Sequence, residues 1–89
     1  MSNNLKEHSY YYKITQDMKE HADKVFSGNT RLLSINIDLE NLEVKSNTEL
    51  FQVSTVIEKQ SKDILFLKTI LLEDKKILVQ ASALWANEN

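Results

Sequence analysis

Leu33-Ser34-Ile35-Asn36-Ile37-Asp38-Leu39 alternates apolar and polar residues without a break. Successive side chains of a strand point to opposite faces, so this period of two reads as a strand with one buried and one wet side. Three more segments follow C-terminal to it. Phe51, Val53, Thr55 and Ile57 form a second alternating face. Ile64 to Leu72 is apolar at nearly every position except Lys68 and Thr69, and Ile77 to Ala86 is the last strand. The polar stretches Lys59-Gln60-Ser61-Lys62-Asp63 and Glu73-Asp74-Lys75-Lys76 are short enough to be hairpin turns, which makes the last three strands an antiparallel meander. Asn41 to Thr48 reads as a connector, with Leu42 and Val44 tucked in.

N-terminal to the alternating stretch the period is helical. Met18, Ala22, Val25 and Phe26 stand at i, i+4, i+7 and i+8, one apolar stripe, while Lys19, Glu20, Asp23 and Lys24 fall on the wet side. Thr15 reads as the N-cap, Asp17 and Glu20 as acids of the first turns, and Gly28 as the left-handed residue that closes the helix. The expected helix is short, about three turns. Ser9 to Ile14, with Tyr10-Tyr11-Tyr12, is rich in strand formers and reads as a short strand or an extended lead-in. Residues 1–8 are polar and expected to be frayed. The element order is (β)-α-β-β-β-β in one α+β domain over residues 1–89, a short helix packed on an antiparallel sheet of four to five strands.

The last two strands are apolar on both sides. Leu65, Leu67 and Leu71 oppose Ile64, Phe66, Ile70 and Leu72, and Leu78 and Leu84 oppose Ile77, Val79 and Trp85. One helix covers one face, so the second face or the sheet edge calls for a cover, and a second copy of the chain is the simplest. Size points the same way. The chain has 89 residues, no cysteine and two histidines. A chain of this length buries only about 60% of its unfolded surface. Disulfides and a thiolate zinc site are excluded, and no metal is expected, which leaves oligomerisation as support. Net charge is −2, which offers no basic field for nucleic acid. No stretch approaches the ~20 apolar residues of a membrane span, no export signal is read, and a cytoplasmic location is expected. A single glycine and no proline exclude a P-loop or a dinucleotide fingerprint, and no cofactor is expected.

Thr30 to Ala86 resembles the C-terminal sheet of the hotdog-fold thioesterases of the acyl-CoA thioesterase type. Leu33 to Leu39 resembles the strand after the family's central helix, and Val44-Lys45-Ser46-Asn47-Thr48-Glu49-Leu50 its connector. Val53 to Lys59, Ile64 to Glu73 and Lys76 to Trp85 follow its strand and turn pattern, with small residues in the last strand. The resemblance covers roughly two-thirds of the chain. It implies protomers joined edge to edge, as a dimer or tetramer, with acyl-thioester sites between them near the start of the helix. It also implies a carboxylate on the helix as general base or nucleophile, and helix-start N–H groups that polarise the thioester carbonyl. The chain departs from the family in its shorter helix and in lacking a His-Gly-Gly turn, where it reads Lys13-Ile14-Thr15-Gln16-Asp17.

Carried onto this chain, the catalytic candidates are Asp17, Glu20 and His21, with Asp23 as a further acid. Asn29, after the helix, and Trp85 are candidates for contacting substrate. Each has a plainer role. Asp17 serves the helix dipole, Glu20 and Asp23 a solvated face, His21 the boundary of the apolar stripe, Asn29 the helix stop and Trp85 an interface or the core. Tyr10 to Tyr12 offer stacking surfaces or simple packing, and Lys75 and Lys76 a phosphate attraction or a charged turn. Two functions remain open. One is an acyl-CoA or acyl-carrier thioester hydrolase, or acyl-group-binding protein. The other is a non-catalytic protein-binding module that uses an apolar sheet face, as in cystatin-like or SecB-like architectures.

Overall fold

The computed structural model describes residues 2–39 and 51–89. The connector with Leu42 and Val44, and its likeness over Val44 to Leu50, lie outside the described residues. Helix α1 (Ser2–Phe26) precedes four strands, β1 (Thr30–Leu39), β2 (Gln52–Gln60), β3 (Ile64–Glu73) and β4 (Lys76–Asn87). The strands form one antiparallel sheet in the order β1-β4-β3-β2. The expected meander is β2-β3-β4, and β1 returns to pair with β4.

The helix differs from the sequence expectation. It has 25 residues, about seven turns and some 37 Å, rather than three turns. Residues 2–8 carry helical backbone too. Tyr10 to Ile14 is helix and not strand, because Tyr10, Ile14, Met18 and Ala22 stand four residues apart on one face and all four are buried. That stripe packs on the sheet, and packing of this kind outweighs the strand preference of three consecutive tyrosines. Tyr11 and Tyr12 point outward and are exposed. Thr15 lies inside the helix and caps nothing. Its hydroxyl donates back to the Tyr11 carbonyl at 2.8 Å, the usual resort of a mid-helix threonine.

The helix does stop at the expected place, by other means. Ser27 takes the left-handed conformation at φ 55°, and the Gly28 N–H donates to the Asp23 carbonyl at 3.1 Å, the 6→1 bond of a Schellman motif. Gly28 makes room instead for the C-terminal tail, since a Cβ there would stand 2.5 Å from Asn89 Oδ1. The Asn89 side chain donates to the Phe26 carbonyl at 2.7 Å and accepts from the Asn29 N–H at 3.1 Å, tying the end of the chain to the end of the helix.

The sheet follows the sequence closely. The turn between Glu73 and Lys76 has two central residues, Asp74 and Lys75, both at positive φ (51° and 66°), as a type I′ hairpin requires. Leu65, Leu67, Thr69 and Leu71 of β3 face the helix and are fully buried. In register beside them on β4 stand Trp85, Ala83, Ala81 and Val79. The alanines let the helix approach the centre of the sheet. Ile64, Phe66, Ile70, Leu72, Ile77 and Leu84 form the outer face and are half-buried.

Two bulges shift the expected faces. One interrupts the β1–β4 ladder between Leu32 and Ser34, so Leu32 takes the inward place opposite Trp85 and Leu33 is exposed. The other, at Leu71/Leu72, turns Leu78 into the core beside Val79. The large exposed apolar strand residues all lie on the two edge strands: Leu33 and Leu39 on β1, Val56 and Ile57 on β2. Among the described residues no helix is long and apolar enough to cross a membrane.

Candidate functional site

Asp17 faces edge strand β2. Its Oδ2 accepts a 2.6 Å hydrogen bond from the Thr55 hydroxyl, and Thr55 Oγ1 lies 2.7 Å from Thr69 Oγ1. Each hydroxyl has one proton. Thr55 gives its proton to the carboxylate, so Thr69 must donate to Thr55, and the chain runs Thr69→Thr55→Asp17. Thr69 is fully buried among leucines, and this bond satisfies its hydroxyl. The carboxylate is thereby anchored from beneath through Oδ2.

His21 stands one turn on from Asp17. Its Nδ1 lies 2.9 Å from the Asp17 carbonyl oxygen and 3.6 Å from Asp17 Oδ2. A carbonyl only accepts, so Nδ1 carries the proton and donates. The neutral ring then keeps Nε2 as its basic nitrogen. Glu20 is exposed and lines an open groove of about 300 Å³ together with Lys13, Gln16, Asp17 and Val53. Asp17 and Glu20 thus line the α1–β2 groove, and His21 stands beside Asp17 one turn on.

The setting differs from the sequence expectation in one respect. Asp17 is not at the helix start. Fifteen residues separate it from Ser2, about 22 Å along the axis, and the first turn holds no acidic residue. Helix-start amides cannot serve a group bound at Asp17.

Asn29 and Trp85 stand apart from these three. Asn29 is exposed just beyond the far end of α1, and its backbone is used by the tail: its N–H by Asn89, and its carbonyl by the Glu88 N–H at 2.9 Å. Trp85 is buried on the inner face. It pairs with Leu65, four residues along β3 from Thr69, or about 13 Å. Its indole N–H has no hydrogen-bond partner among the described residues.

Asp23 belongs to a separate cluster on the β1 side. Its Oδ1 accepts from Thr30 Oγ1 at 2.6 Å and from Lys19 Nζ at 2.9 Å, and Lys19 also donates to the Thr30 carbonyl at 3.0 Å. The Thr30 hydrogen bond, aided by Lys19 and opposed by partial burial, holds the Asp23 carboxyl below its ordinary value. This is a latch between α1 and β1, and its carboxylate is already engaged. At the opposite end of the core the Tyr10 ring packs on Phe51 with centroids 5.5 Å apart. Burial, and then the Glu73 charge, raise the Tyr10 phenol above its ordinary value. Among the described residues no three His, Cys, Asp or Glu side chains are grouped to hold a metal ion.

Sequence reasoning missed Thr55 and Thr69. Thr69 carried a readable signal, a lone polar residue in the inward row Leu65, Leu67, Thr69, Leu71. Thr55 carried none, because its partner is 38 residues away.

No protein-family model matches the chain, and no curated protein sequence matches it. Solved structures do. A hypothetical protein from Aquifex aeolicus superposes with a TM-score of 0.67 at 14% identity, over 89% of this chain and 77% of that one. A structure described as a predicted thioesterase from Bacillus stearothermophilus gives 0.73 at 12% identity, over 91% of this chain and 65% of that one. A structure described as a probable thioesterase from Bartonella henselae gives 0.69 at 15% identity, over 91% and 77%. The chain thus spans about two-thirds to three-quarters of the structures it matches. At such identities the likeness concerns the fold, and the fold of this chain, one long helix on a four-stranded antiparallel sheet, is hotdog-like.

Proposed function

We propose that the chain binds acyl-thioesters, acyl-CoA or an acyl-carrier conjugate, in the α1–β2 groove and hydrolyses them. The observation that carries this reading is the anchored Asp17 carboxylate on the wall of an open groove, with the His21 ring one turn away. The names of two structural neighbours agree with it. In this reaction a water loses a proton to Asp17, or to His21 Nε2, as its oxygen bonds to the thioester carbonyl carbon. The C–S bond then breaks, and the proton passes to the leaving thiolate. The Gln16 side-chain amide, in the same groove, is the donor placed to steady the oxyanion in place of the distant helix-start amides. Glu20, exposed at the rim, is the alternate base. The protein works in the cytoplasm as a homo-oligomer paired through a sheet edge, a state supported by the exposed apolar residues of β1 and β2.

A second reading keeps the fold without turnover. It is favoured by the 22 Å between the helix start and Asp17, which removes the backbone oxyanion donors. In that reading the chain is a binding module, and its edge strands and apolar outer face hold a protein partner.

Thiol release from short, medium and long acyl-CoAs separates the readings. Turnover that Asp17→Ala with His21→Ala abolishes supports the hydrolase and its site. Turnover that survives this double substitution keeps the hydrolase and discards the site. No turnover at any chain length overturns the hydrolase and leaves the binding module.

A further inference from the structure

The outer face of the sheet holds a second depression, on the far side from Asp17. It measures about 420 Å³ and is lined by Glu58, Lys59, Phe66, Lys68 and Ser82. Pairing explains why these five meet. Lys59 stands opposite Phe66 across β2–β3, and Lys68 stands opposite Ser82 across β3–β4. Phe66 and Lys68 are two apart on β3 and share its outer face. The bulge between Ile57 and Lys59 brings Glu58 to the same wall. Diagonal neighbours of this kind lie about 7–8 Å apart, within reach of two lysine ammonium groups closing on one anion.

The charges here are unspent. Neither Lys59 nor Lys68 has an ion pair or hydrogen bond among the described residues. Lys68 is half-buried beside the apolar Phe66 and Ile70 of the same face, where a lysine costs sheet packing and gains no partner among the described residues. The chain as a whole carries a net charge of −2, yet this wall has two ammonium groups against one carboxylate.

We propose that this depression binds a mononucleotide. The three kinds of group present select that chemistry. The half-buried Phe66 ring offers a flat apolar surface on which a base stacks. Lys59 and Lys68 close on the phosphate, and the Ser82 hydroxyl donates to it. Glu58, which repels a bare anion, accepts from a base amino group or a sugar hydroxyl. Inorganic phosphate uses only the lysines and Ser82, and a fatty carboxylate leaves Glu58 opposed. A nucleotide uses all five. The site is independent of the Asp17 groove and of any hydrolysis there.

The test is a nuclear magnetic resonance titration of the full chain with adenosine monophosphate, adenosine and inorganic phosphate in parallel. The expected result is saturable shifts at Phe66, Lys68 and Ser82, with the nucleotide binding at least about tenfold tighter than either fragment. Lys59→Ala and Lys68→Ala are each expected to weaken the nucleotide about tenfold or more. Phe66→Leu is expected to weaken the nucleotide and leave the phosphate response unchanged. Lys59 is exposed, so its variant keeps the fold and tests the site even where Phe66→Leu disturbs packing. No shift with the nucleotide overturns the proposal. So do undiminished binding by Lys59→Ala and Lys68→Ala, and inorganic phosphate binding as tightly as the nucleotide.

Discussion

Thr55 Oγ1 donates to Asp17 Oδ2 across 2.6 Å, and this one bond joins the middle of the helix to the edge strand of the sheet. It also gives the buried Thr69 hydroxyl its acceptor, through Thr55. Thr55→Val removes a charge-assisted bond and strands Thr69, at an expected cost of roughly 1.5–3 kcal/mol in urea unfolding. Thr55→Ser restores most of it. In a thioester assay Thr55→Val is expected to lower kcat more than it raises KM, because the carboxylate loses its orientation while the groove keeps its shape. Equal stability of wild type and Thr55→Val would remove Thr55 from this role.

The acid limb of stability should depend on Asp23. Its folded carboxyl lies below its ordinary value, chiefly through Thr30. A depressed carboxyl contributes stability that is present above the unfolded pKa and is lost as pH falls through the folded one. Thr30→Val removes the main cause. Unfolding midpoints measured from neutral pH into the acid range should therefore fall less steeply for Thr30→Val than for wild type. A parallel pair of curves would show that the latch does not couple to folding.

At the alkaline end the relevant group is Tyr10, whose folded phenol lies above its ordinary value through burial and then Glu73. A raised value contributes stability that is complete below the unfolded pKa, near 10, and is lost as pH rises through the folded one. Tyr10→Phe should flatten the alkaline fall in stability. Ultraviolet titration of the phenolates should show one tyrosine ionising late in wild type and absent from Tyr10→Phe. Ionisation of all three tyrosines in one step would contradict the burial of Tyr10.

Ile14 decides between the two readings of the N-terminal segment. Three tyrosines in a row carry strand preference, but Tyr10, Ile14, Met18 and Ala22 repeat every four residues, and the repeat prevails because it meets a leucine-rich sheet face. The sequence therefore displayed the helix's C-terminal half plainly and hid its N-terminal half behind a local preference. The strands were legible because polar turns bracket them and alternation needs no distant partner. Leu33 was misplaced because a bulge is invisible to a strict period of two. In the candidate site Asp17 and His21, one turn apart, could be read together, while Thr55 is brought to them only by folding. Ile14→Ala in the fully buried stripe should cost about 2–5 kcal/mol. The same substitution in a loose lead-in would cost a few tenths.

Edge pairing makes the final prediction. A sheet edge presents unpaired backbone donors and acceptors, and monomeric proteins blunt such edges with charge. Here both edges carry exposed apolar residues beside their charged ones, with Leu33 and Leu39 on β1 and Val56 and Ile57 on β2, each exposed by more than 40%. A lysine at the paired edge places like charges across a two-fold axis and is expected to dissociate the assembly. A lysine at the free edge is expected to leave it intact. Light scattering at micromolar concentration on Leu33→Lys and Val56→Lys then identifies the edge. If Val56→Lys alone yields monomers, the partner lies beside the Asp17 groove and helps to close it, and thioester turnover should fall with association. If Leu33→Lys alone does so, each protomer keeps a groove open to solvent and turnover should survive dissociation. An oligomer that withstands both substitutions would exclude edge pairing and direct attention to the apolar outer face.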